Sequence, residues 1–335
     1  MEFDLVVYFS QIHANNQEQQ CNGTRQPPHA GITQLLIGLY RMPKDPENDP
    51  VILWMQGGHG TSSLLGFFNE HVPYYLSEDG NEAAFRDLTW AKRYWMLYVD
   101  QPVGTGYSYT ENDAGYTHNQ TEVGPDMFEF LQLFFMMFGD LAENDFYIAG
   151  ELYAASSMAS ASSARAAAGY VLRVTRDVVA MVRVGNTVES GIKMDRLFFG
   201  ILAHETFFKN VTGFDYYYNY LTDMKPEGTH FITDIMPPAV PQLTTMLENG
   251  YKVLVYSDHL DICVPTTHTE KFLANRSADG KRLHGYKKTI ENLNCVVVRN
   301  GGHVLPYDQP DAMFELITAF IDNEPPFSAQ ATSVA

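Results

Sequence analysis

The stretch Phe146–Ala154 has the sequence FYIAGELYA and is the most informative part of the 335-residue chain. Its first four residues form an apolar run that favours a short buried β-strand, and Gly150 then allows a tight turn. The residues that follow, Ala154–Gly169, are almost entirely Ala and Ser, which predicts a helix. In a strand–turn–helix unit of this kind a nucleophilic side chain can stand at the turn. The residue at that position here is Leu152, which has no attacking atom.

Other apolar runs along the chain end in the same way, in glycine-containing or acidic turns. They are Val51–Met55, Trp95–Val99, Val253–Tyr256 and Val296–Val298. Continuous apolar strands with polar residues at their carboxyl ends predict a largely parallel sheet that is covered on both faces. Helical patterns lie between the strands, at Asp126–Phe138 and Asp311–Ile321. The sequence therefore predicts the α/β class.

The remaining segments are less regular. The segment up to about Ile37 contains a glutamine-rich stretch and a proline pair, and we expect it to be irregular. One more strand is expected near Val178–Val184. The length suits a single domain, residues 1–335, with a modest insertion. Aromatic and proline-rich stretches at about 189–248 are where an insertion over the active-site face would lie.

The composition restricts the possible partners. The formal net charge is −18 and the sequence pI is about 4.9. Because such an acidic surface repels phosphate backbones and anionic lipids, nucleic acids and membrane surfaces are not expected as partners. No run of about 18 apolar residues is present, so no membrane-spanning helix is expected. The start of the chain lacks a basic segment followed by an apolar one, so we expect no signal peptide within it. The composition does not predict an oligomeric state.

Cysteines and asparagine motifs bear on the cellular compartment. The three cysteines permit at most one internal disulfide, a count that by itself fits a reducing compartment. Four Asn-x-Ser/Thr sequons favour the secretory route instead and predict glycosylation at Asn22, Asn119, Asn210 and Asn275. Neither H-E-x-x-H nor C-x-x-C occurs, and no Lys-Ser/Thr follows the glycine loop that ends at Gly60. No metal site, phosphate-binding loop or cofactor is therefore expected.

Five stretches of the chain, in order, resemble motifs of the serine carboxypeptidase family, most closely its vitellogenic-like subgroup. They are Trp54–Ser63, Asp100–Tyr109, Gly150–Ala154, Tyr256–Asp261 and Asn300–Pro310. The resemblance covers nearly the whole chain and is weaker from Ala155 to Glu248. It implies an α/β-hydrolase fold, with a central, mostly parallel sheet and a helical cap insertion that is shortened here. Three residues depart from the family motifs: His59 replaces proline, Leu152 replaces the nucleophilic serine, and Ala155 replaces glycine.

The resemblance also implies positions for the catalytic groups. Acyl transfer on this fold uses a nucleophile, an acid and a histidine in the chain order Ser…Asp…His. The matching positions are Leu152, Asp261 and His303, and Asp258 is a competitor that we consider less well placed than Asp261. The matching oxyanion-hole donors are the backbone N–H groups of Gly58 and Tyr153. The His59 substitution weakens the match at Gly58, because proline fixes φ and histidine does not.

Leu152 decides the expected activity. A leucine side chain has no lone pair, so we predict that the chain is catalytically inactive. Ser156 and Ser157 lie about one turn into the following helix, and a turn rises about 5.4 Å, so their hydroxyls are too far from His303. Three further serines match family serines that are not nucleophiles: Ser62, Ser63 and Ser108. Two alternatives stay open. One is an active carboxypeptidase in which Leu152 is an engineered or erroneous substitution, and the other is a drifted or artificial homologue with no selected site.

A carboxypeptidase must recognise the terminal carboxylate of its substrate. By resemblance, Gln56 and Glu151 bind that carboxylate, with support from Trp54 and Glu70. A carboxylate bound beside a glutamate requires a shared proton, because like charges raise each other's proton affinity. We therefore expect peptide or protein C-termini as the partners, and tighter binding at acidic pH. This chemistry suits a secreted or a lysosomal or vacuolar setting, which the resemblance also implies.

Overall fold

The fold contains a large mixed sheet and a small hairpin sheet. The computed structural model describes residues 6–13, 32–40, 45, 47–57, 60–71, 74–76, 83–110, 115–151, 154, 180–182, 240–258, 285–302 and 304–327. The strands within these ranges are β1 Val6–His13, β2 Ile32–Tyr40, β3 Val51–Met55, β4 Tyr74–Leu76, β5 Ala83–Phe85, β6 Trp95–Val99, β7 Tyr109–Thr110, β8 Phe146–Gly150, β9 Ala180–Val182, β10 Val253–Asp258, β11 Gly285–Ile290 and β12 Leu293–Val298.

Helices connect several of these strands. The α-helices of the described residues are α1 Leu64–Gly66, α2 Gln120–Met137, α3 Val240–Glu248, α4 Leu305–Asp308 and α5 Pro310–Ile321. A π-helical turn, Phe67–His71, follows α1 directly. Two 3₁₀ turns, Trp90–Lys92 and Gly139–Glu143, precede β6 and β8. None of the described helices combines the length and the apolarity that a membrane crossing requires.

The large sheet is parallel at its centre and antiparallel at its edges. Its strand order is β1-β2-β6-β3-β8-β9-β10-β12-β11, and β7 pairs with β2 at the side. Every neighbouring pair from β6 to β12 is parallel, whereas β1, β2 and β11 pair antiparallel. This arrangement confirms the predicted central, mostly parallel sheet of an α/β protein. The strand expected near Val178–Val184 is confirmed as β9.

The N-terminal prediction was wrong. We expected an irregular segment up to about Ile37, but β1 and β2 form an antiparallel pair at the edge of the large sheet. The glutamine-rich stretch and the proline pair that suggested a loop fall between these two strands, outside the described residues. Such strands are stabilised by pairing with the rest of the sheet, which a local signal in the sequence does not show.

Two apolar layers cover the central strands. Alternate residues of β3 face opposite sides of the sheet, as the two-residue period of a strand requires. On one side Leu53 packs in a cluster with Phe130 and Phe134 of α2. On the other side Trp54 belongs to a cluster that includes Met313 of α5. Burial of each such side chain stabilises the fold by about 1.5–3 kcal/mol. The sheet is therefore held between helices on both faces, and its carboxyl edge is where the polar residues lie.

The predicted cap lies mostly outside the described residues. Of the expected insertion at about 189–248, only α3 is within the described part of the chain. Met246 of α3 is buried in the same cluster as α2. The single domain with a reduced cap therefore stays a prediction.

Candidate active site

Two strand ends place the central pair of the site side by side. The strands β3 and β8 run parallel, and Met55 is paired with Gly150 at their carboxyl ends. The backbone N–H of Glu151 donates to the carbonyl of Met55 over 3.3 Å. Gln56 and Glu151 are the next residues along each strand, so the sheet itself brings their side chains together.

Gln56 and Glu151 form the core of a buried polar cluster. The Gln56 Nε2 donates to Glu151 Oε2 over 3.3 Å, and the Trp54 indole Nε1 donates to Gln56 Oε1 over 2.9 Å. The hydroxyl of Tyr256 on β10 donates to Glu151 Oε1 over 3.4 Å. Gln56 is 5% exposed, and Trp54, Glu151 and Tyr256 are fully buried. Since the amide oxygen of Gln56 is held by Trp54, its Nε2 group is oriented to donate hydrogen bonds.

Glu70 joins this cluster through a histidine that the sequence analysis did not single out. Both Glu70 and His71 end the π-helical turn and are almost completely buried. The Nε2 atom of His71 lies 3.6 Å from Glu70 Oε2, and its ring centroid lies 4.0 Å from that of Trp54. Trp90 also contacts the imidazole, with a centroid distance of 4.2 Å. The predicted carboxylate-binding residues Trp54, Gln56, Glu70 and Glu151 therefore belong to one connected group.

Burial controls the charge of His71. Removal from water, followed by the positive charge of Arg86, holds the pKa of His71 well below its usual value, while the backbone of Gly66 acts in the opposite direction. Arg86 also fixes the π-helical turn, because its Nη2 donates to the carbonyl of Asn69 over 2.7 Å. At the contact between His71 and Glu70, burial therefore disfavours the charged form of the imidazole.

Gly66 makes room for the Trp54–Gln56 hydrogen bond. A Cβ atom at Gly66 would lie 2.4 Å from Trp54 Nε1 and 3.0 Å from Gln56 Oε1. Real Cβ atoms do not approach other atoms that closely, so a side chain here would push the two partners apart. The helical turn after the glycine loop therefore passes directly over this bond.

A buried aspartate connects two loops beside the cluster. Asp100, which follows β6, accepts hydrogen bonds from Ser62 Oγ at 2.8 Å and Ser63 N at 2.7 Å through Oδ1. Its Oδ2 accepts from Tyr107 N at 2.9 Å. Burial raises the pKa of Asp100 to about 6, although these three donors act in the opposite direction. Gly106 allows this approach with φ at 53°, and a Cβ there would lie 2.2 Å from Oδ2.

Three serines near the site are committed to structural hydrogen bonds. Ser62 Oγ donates to the Asp100 carboxylate, Ser63 Oγ donates to the Val99 carbonyl at 2.5 Å, and Ser108 Oγ donates to the Asp100 carbonyl at 2.6 Å. All three are buried. These contacts agree with the expectation that none of them is the nucleophile.

Five of the predicted site residues lie outside the described residues: Gly58, Leu152, Tyr153, Asp261 and His303. Some of their neighbours are described. The N–H of Ala154 donates to the carbonyl of Glu151 at 3.1 Å, and both residues are buried. Gly302 N donates to Asp308 Oδ2 at 2.7 Å, which ties the residue before His303 to α4. Asp258, the competing acid, is the last residue of β10.

Among the predicted glycosylation sites, only Asn119 is described, and Asn22, Asn210 and Asn275 are not. Asn119 precedes α2 and caps it: Oδ1 accepts from Glu122 N at 3.2 Å, and Nδ2 donates to Glu122 Oε1 at 2.9 Å. No group of three or more His, Cys, Asp or Glu residues within the described part of the chain is arranged to hold a metal ion.

Comparison with protein families identifies the family of the chain. A family model described as serine carboxypeptidase matches residues 37–164 and 222–323, which together make up most of the chain. The chain belongs to the serine carboxypeptidase family. The matched ranges contain the positions of Gln56, Glu151, Asp261 and His303.

Curated relatives agree with this assignment. The venom serine carboxypeptidase of Apis mellifera is 28% identical over 373 aligned residues, which cover 84% of this chain and 79% of the relative. The probable serine carboxypeptidase CPVL of Homo sapiens is 29% identical, with 82% and 77% coverage. The vitellogenic carboxypeptidase of Aedes aegypti is 28% identical, again with 82% and 77% coverage. The predicted resemblance to vitellogenic-like serine carboxypeptidases is thus confirmed.

Solved structures agree on the fold. Kex1(delta)p, a prohormone-processing carboxypeptidase from Saccharomyces cerevisiae, superimposes with a TM-score of 0.69 at 15% identity, covering 95% of this chain and 91% of that chain. The peroxisomal alpha-beta-hydrolase Lpx1 from Saccharomyces cerevisiae gives 0.52 at 11% identity, with 96% and 89% coverage. The predicted α/β-hydrolase fold is confirmed.

Proposed function

We propose that this member of the serine carboxypeptidase family binds the C-terminal carboxylate of peptides and does not cleave them. The observation that carries the proposal is the hydrogen bond between Gln56 and Glu151 in a buried cluster. The next residue in the chain is Leu152, which occupies the nucleophile position that the family resemblance implies. The polar residues that recognise a carboxylate are retained and connected. The atom that would attack the adjacent peptide bond is missing.

The cluster has a hydrogen-bond donor for a ligand carboxylate. An amide Nε2 carries two hydrogens, and Gln56 uses one of them for Glu151, so the second can donate to a ligand oxygen. Glu151 is fully buried, and two carboxylates in one buried site repel each other unless they share a proton. Binding is therefore expected to take up a proton and to be tighter at acidic pH.

The missing serine accounts for the loss of hydrolysis. Removal of a triad serine lowers kcat by on the order of 10⁶-fold where it has been measured. The positions of Asp261 and His303 are kept in the sequence, and the backbone N–H groups of Gly58 and Tyr153 do not depend on side-chain identity. Binding and an oxyanion hole can leave a residual rate of about 10³–10⁴-fold over water, which is far below that of a carboxypeptidase.

A shortened cap is part of this proposal. The alignment with the Apis mellifera relative runs over 373 residues, more than the 335 of this chain, so it includes positions where this chain has no residue. The family match also stops at 164 and resumes at 222. This unmatched segment overlaps the predicted insertion at about 189–248 only in part. A smaller cap would leave the carboxylate pocket more open to long peptides.

The proposed setting is the secretory pathway, either secreted or lysosomal. Four sequons support it, and one relative is named a venom enzyme. Proton-linked carboxylate binding also suits an acidic compartment. Treatment of the natural protein with an endoglycosidase tests this proposal, since a shift in mass is expected at Asn119 and the other sequons.

The test of the function combines binding with turnover. A blocked dipeptide with a free C-terminal carboxylate and its carboxamide counterpart are titrated calorimetrically into the unchanged chain at acidic and neutral pH. We expect saturable binding of the acid alone, which weakens as the pH rises, and no release of the terminal residue. Hydrolysis by the unchanged chain supports the active-enzyme alternative, and equal or absent binding of acid and amide supports a drifted homologue without a site.

A further inference from the structure

Tyr256 contacts the buried polar cluster of Gln56 and Glu151. It is the fourth residue of β10, between β9 and β12, and it is completely buried. Its hydroxyl donates to Glu151 Oε1 over 3.4 Å, although the two residues are 105 positions apart. A buried tyrosine hydroxyl requires a polar partner, and Glu151, which this hydroxyl contacts, is a residue that binds the ligand in the proposed function.

The two oxygens of Glu151 have separate donors. Gln56 Nε2 donates to Oε2, and Tyr256 OH donates to Oε1, so the carboxylate is held between β3 and β10. Resting on the proposed function, we propose that Tyr256 is a positioning residue that fixes the Glu151 carboxylate and sets the pH range over which the site binds a peptide carboxylate.

The physical reason is the charge dependence of the hydrogen bond. A donor facing a carboxylate stabilises its ionised form and opposes protonation. Binding of a second carboxylate needs a shared proton. Because the hydroxyl of Tyr256 opposes uptake of that proton by Glu151, the midpoint pH of ligand binding is lower with the hydroxyl than without it. Removal of the hydroxyl should make Glu151 easier to protonate and extend binding to higher pH. A purely structural tyrosine would weaken binding when altered, without a shift along the pH axis.

Other charged groups around Glu151 must stay constant in the test. Tyr256 approaches from β10. Gln56, which follows β3, contacts Glu151 and is itself held by Trp54, and neither of these two residues titrates. From the π-helical turn, Glu70 and His71 lie beyond Trp54, with Arg86 acting on His71. Replacement of Tyr256 by phenylalanine alters none of these side chains, so a change in the pH profile reports on the hydroxyl.

The experiment measures the Kd of the peptide acid by calorimetry from about pH 4 to about pH 8 for the parent and Tyr256→Phe. Tyr94→Phe is the matched control, because Tyr94 is also buried and its hydroxyl also makes a bond of 3.4 Å, to Thr318 Oγ1. We expect the midpoint of binding to rise by about 0.5–1 pH unit in Tyr256→Phe. At neutral pH this corresponds to a gain in affinity of about threefold to tenfold. Tyr94→Phe should leave the profile unchanged.

The outcomes separate this inference from the proposed function. If the parent does not prefer the acid over the carboxamide, the proposed function is wrong. If the parent shows a proton-linked preference and Tyr256→Phe keeps the same midpoint, only the role of Tyr256 is overturned. A second comparison uses Glu151→Gln, which has no carboxyl to titrate. In the Glu151→Gln background, Tyr256→Phe should not shift the midpoint pH of binding. An equal shift of the midpoint in the parent and in Glu151→Gln would also overturn the role of Tyr256.

Discussion

Gln56 and Glu151 are 95 positions apart in the chain, and a side-chain hydrogen bond of 3.3 Å joins them at neighbouring strand ends. In the proposed function, this bond positions an amide donor and a carboxyl group for one ligand carboxylate. Replacement of Gln56 by alanine removes the donor and leaves Glu151 less well oriented. We expect Gln56→Ala to weaken binding of the peptide acid by at least about tenfold, the loss of one hydrogen bond to a charged group. Calorimetric titration checks this, and unchanged affinity for the acid would falsify the assignment of Gln56.

Gly66 offers a test of the Trp54–Gln56 contact that changes no polar group. Gly66→Ala places a Cβ 2.4 Å from Trp54 Nε1, so we expect the free energy of unfolding to fall by about 1–3 kcal/mol. Binding of the peptide acid should weaken as well, because Gln56 loses its orienting partner. Gly139→Ala is the control, since a Cβ there meets nothing within 4 Å. Equal effects of the two substitutions, measured by denaturant unfolding and calorimetry, would contradict this account.

Asp126 on α2 makes stability depend on pH. Burial, followed by the charges of Glu129 and Glu122, raises the pKa of Asp126 to about 7. The folded chain therefore binds this proton more readily than the unfolded chain. The contribution of Asp126 to the free energy of unfolding should increase as the pH falls from about 8 towards the unfolded pKa near 4.

Asp126→Asn removes this titration. We expect the variant to be more stable than the parent at about pH 8, by on the order of 1–3 kcal/mol, with the difference vanishing towards about pH 4. Urea unfolding across this pH range measures it. Asp140→Asn, at an exposed position, is the matched control and should track the parent. A stability difference that is constant with pH would show that Asp126 does not titrate in this way.

Asp100 should stabilise the two loops next to the carboxylate cluster. Asp100→Asn keeps an acceptor for Ser62 and Ser63 but turns an amide N–H₂ towards the N–H of Tyr107. Two donors then face each other in a buried place, and we expect a loss of about 1–3 kcal/mol in the free energy of unfolding. Thermal unfolding of Asp100→Asn, compared with that of the exposed control Asp140→Asn, checks this. An effect no larger than that of the exposed control would argue against the loop connection.

Much of the sheet could be predicted because its central strands are apolar without interruption. The bounds of β3 and β6 match their predicted limits, since each run ends at a change to Gly, Gln or Asp. The strands β1 and β2 could not be predicted, because their pairing depends on residues distant in the chain. The helix predicted at Asp126–Phe138 begins earlier, at Gln120, where Asn119 caps it.

The site was predictable only where residue type carries the chemistry. Gln56, Glu151 and Glu70 were expected from the family resemblance, and the structure connects them. Tyr256 and His71 were missed as members of the cluster, since a tyrosine in an apolar strand and a histidine after a glutamate have no distinctive pattern. Their contacts arise from the meeting of β3, β10 and the π-helical turn. For Tyr256, the requirement of a buried hydroxyl for a partner was the available signal.

The most direct test of the central claim is an assay of peptide hydrolysis by the unchanged chain at acidic pH, with Leu152→Ser beside it as the comparison. We expect the unchanged chain to release no terminal residue above background and to escape labelling by a fluorophosphonate probe, while it still binds the peptide acid. Activity in Leu152→Ser alone would locate the loss at this one side chain. Turnover or covalent labelling of the unchanged chain would contradict the account.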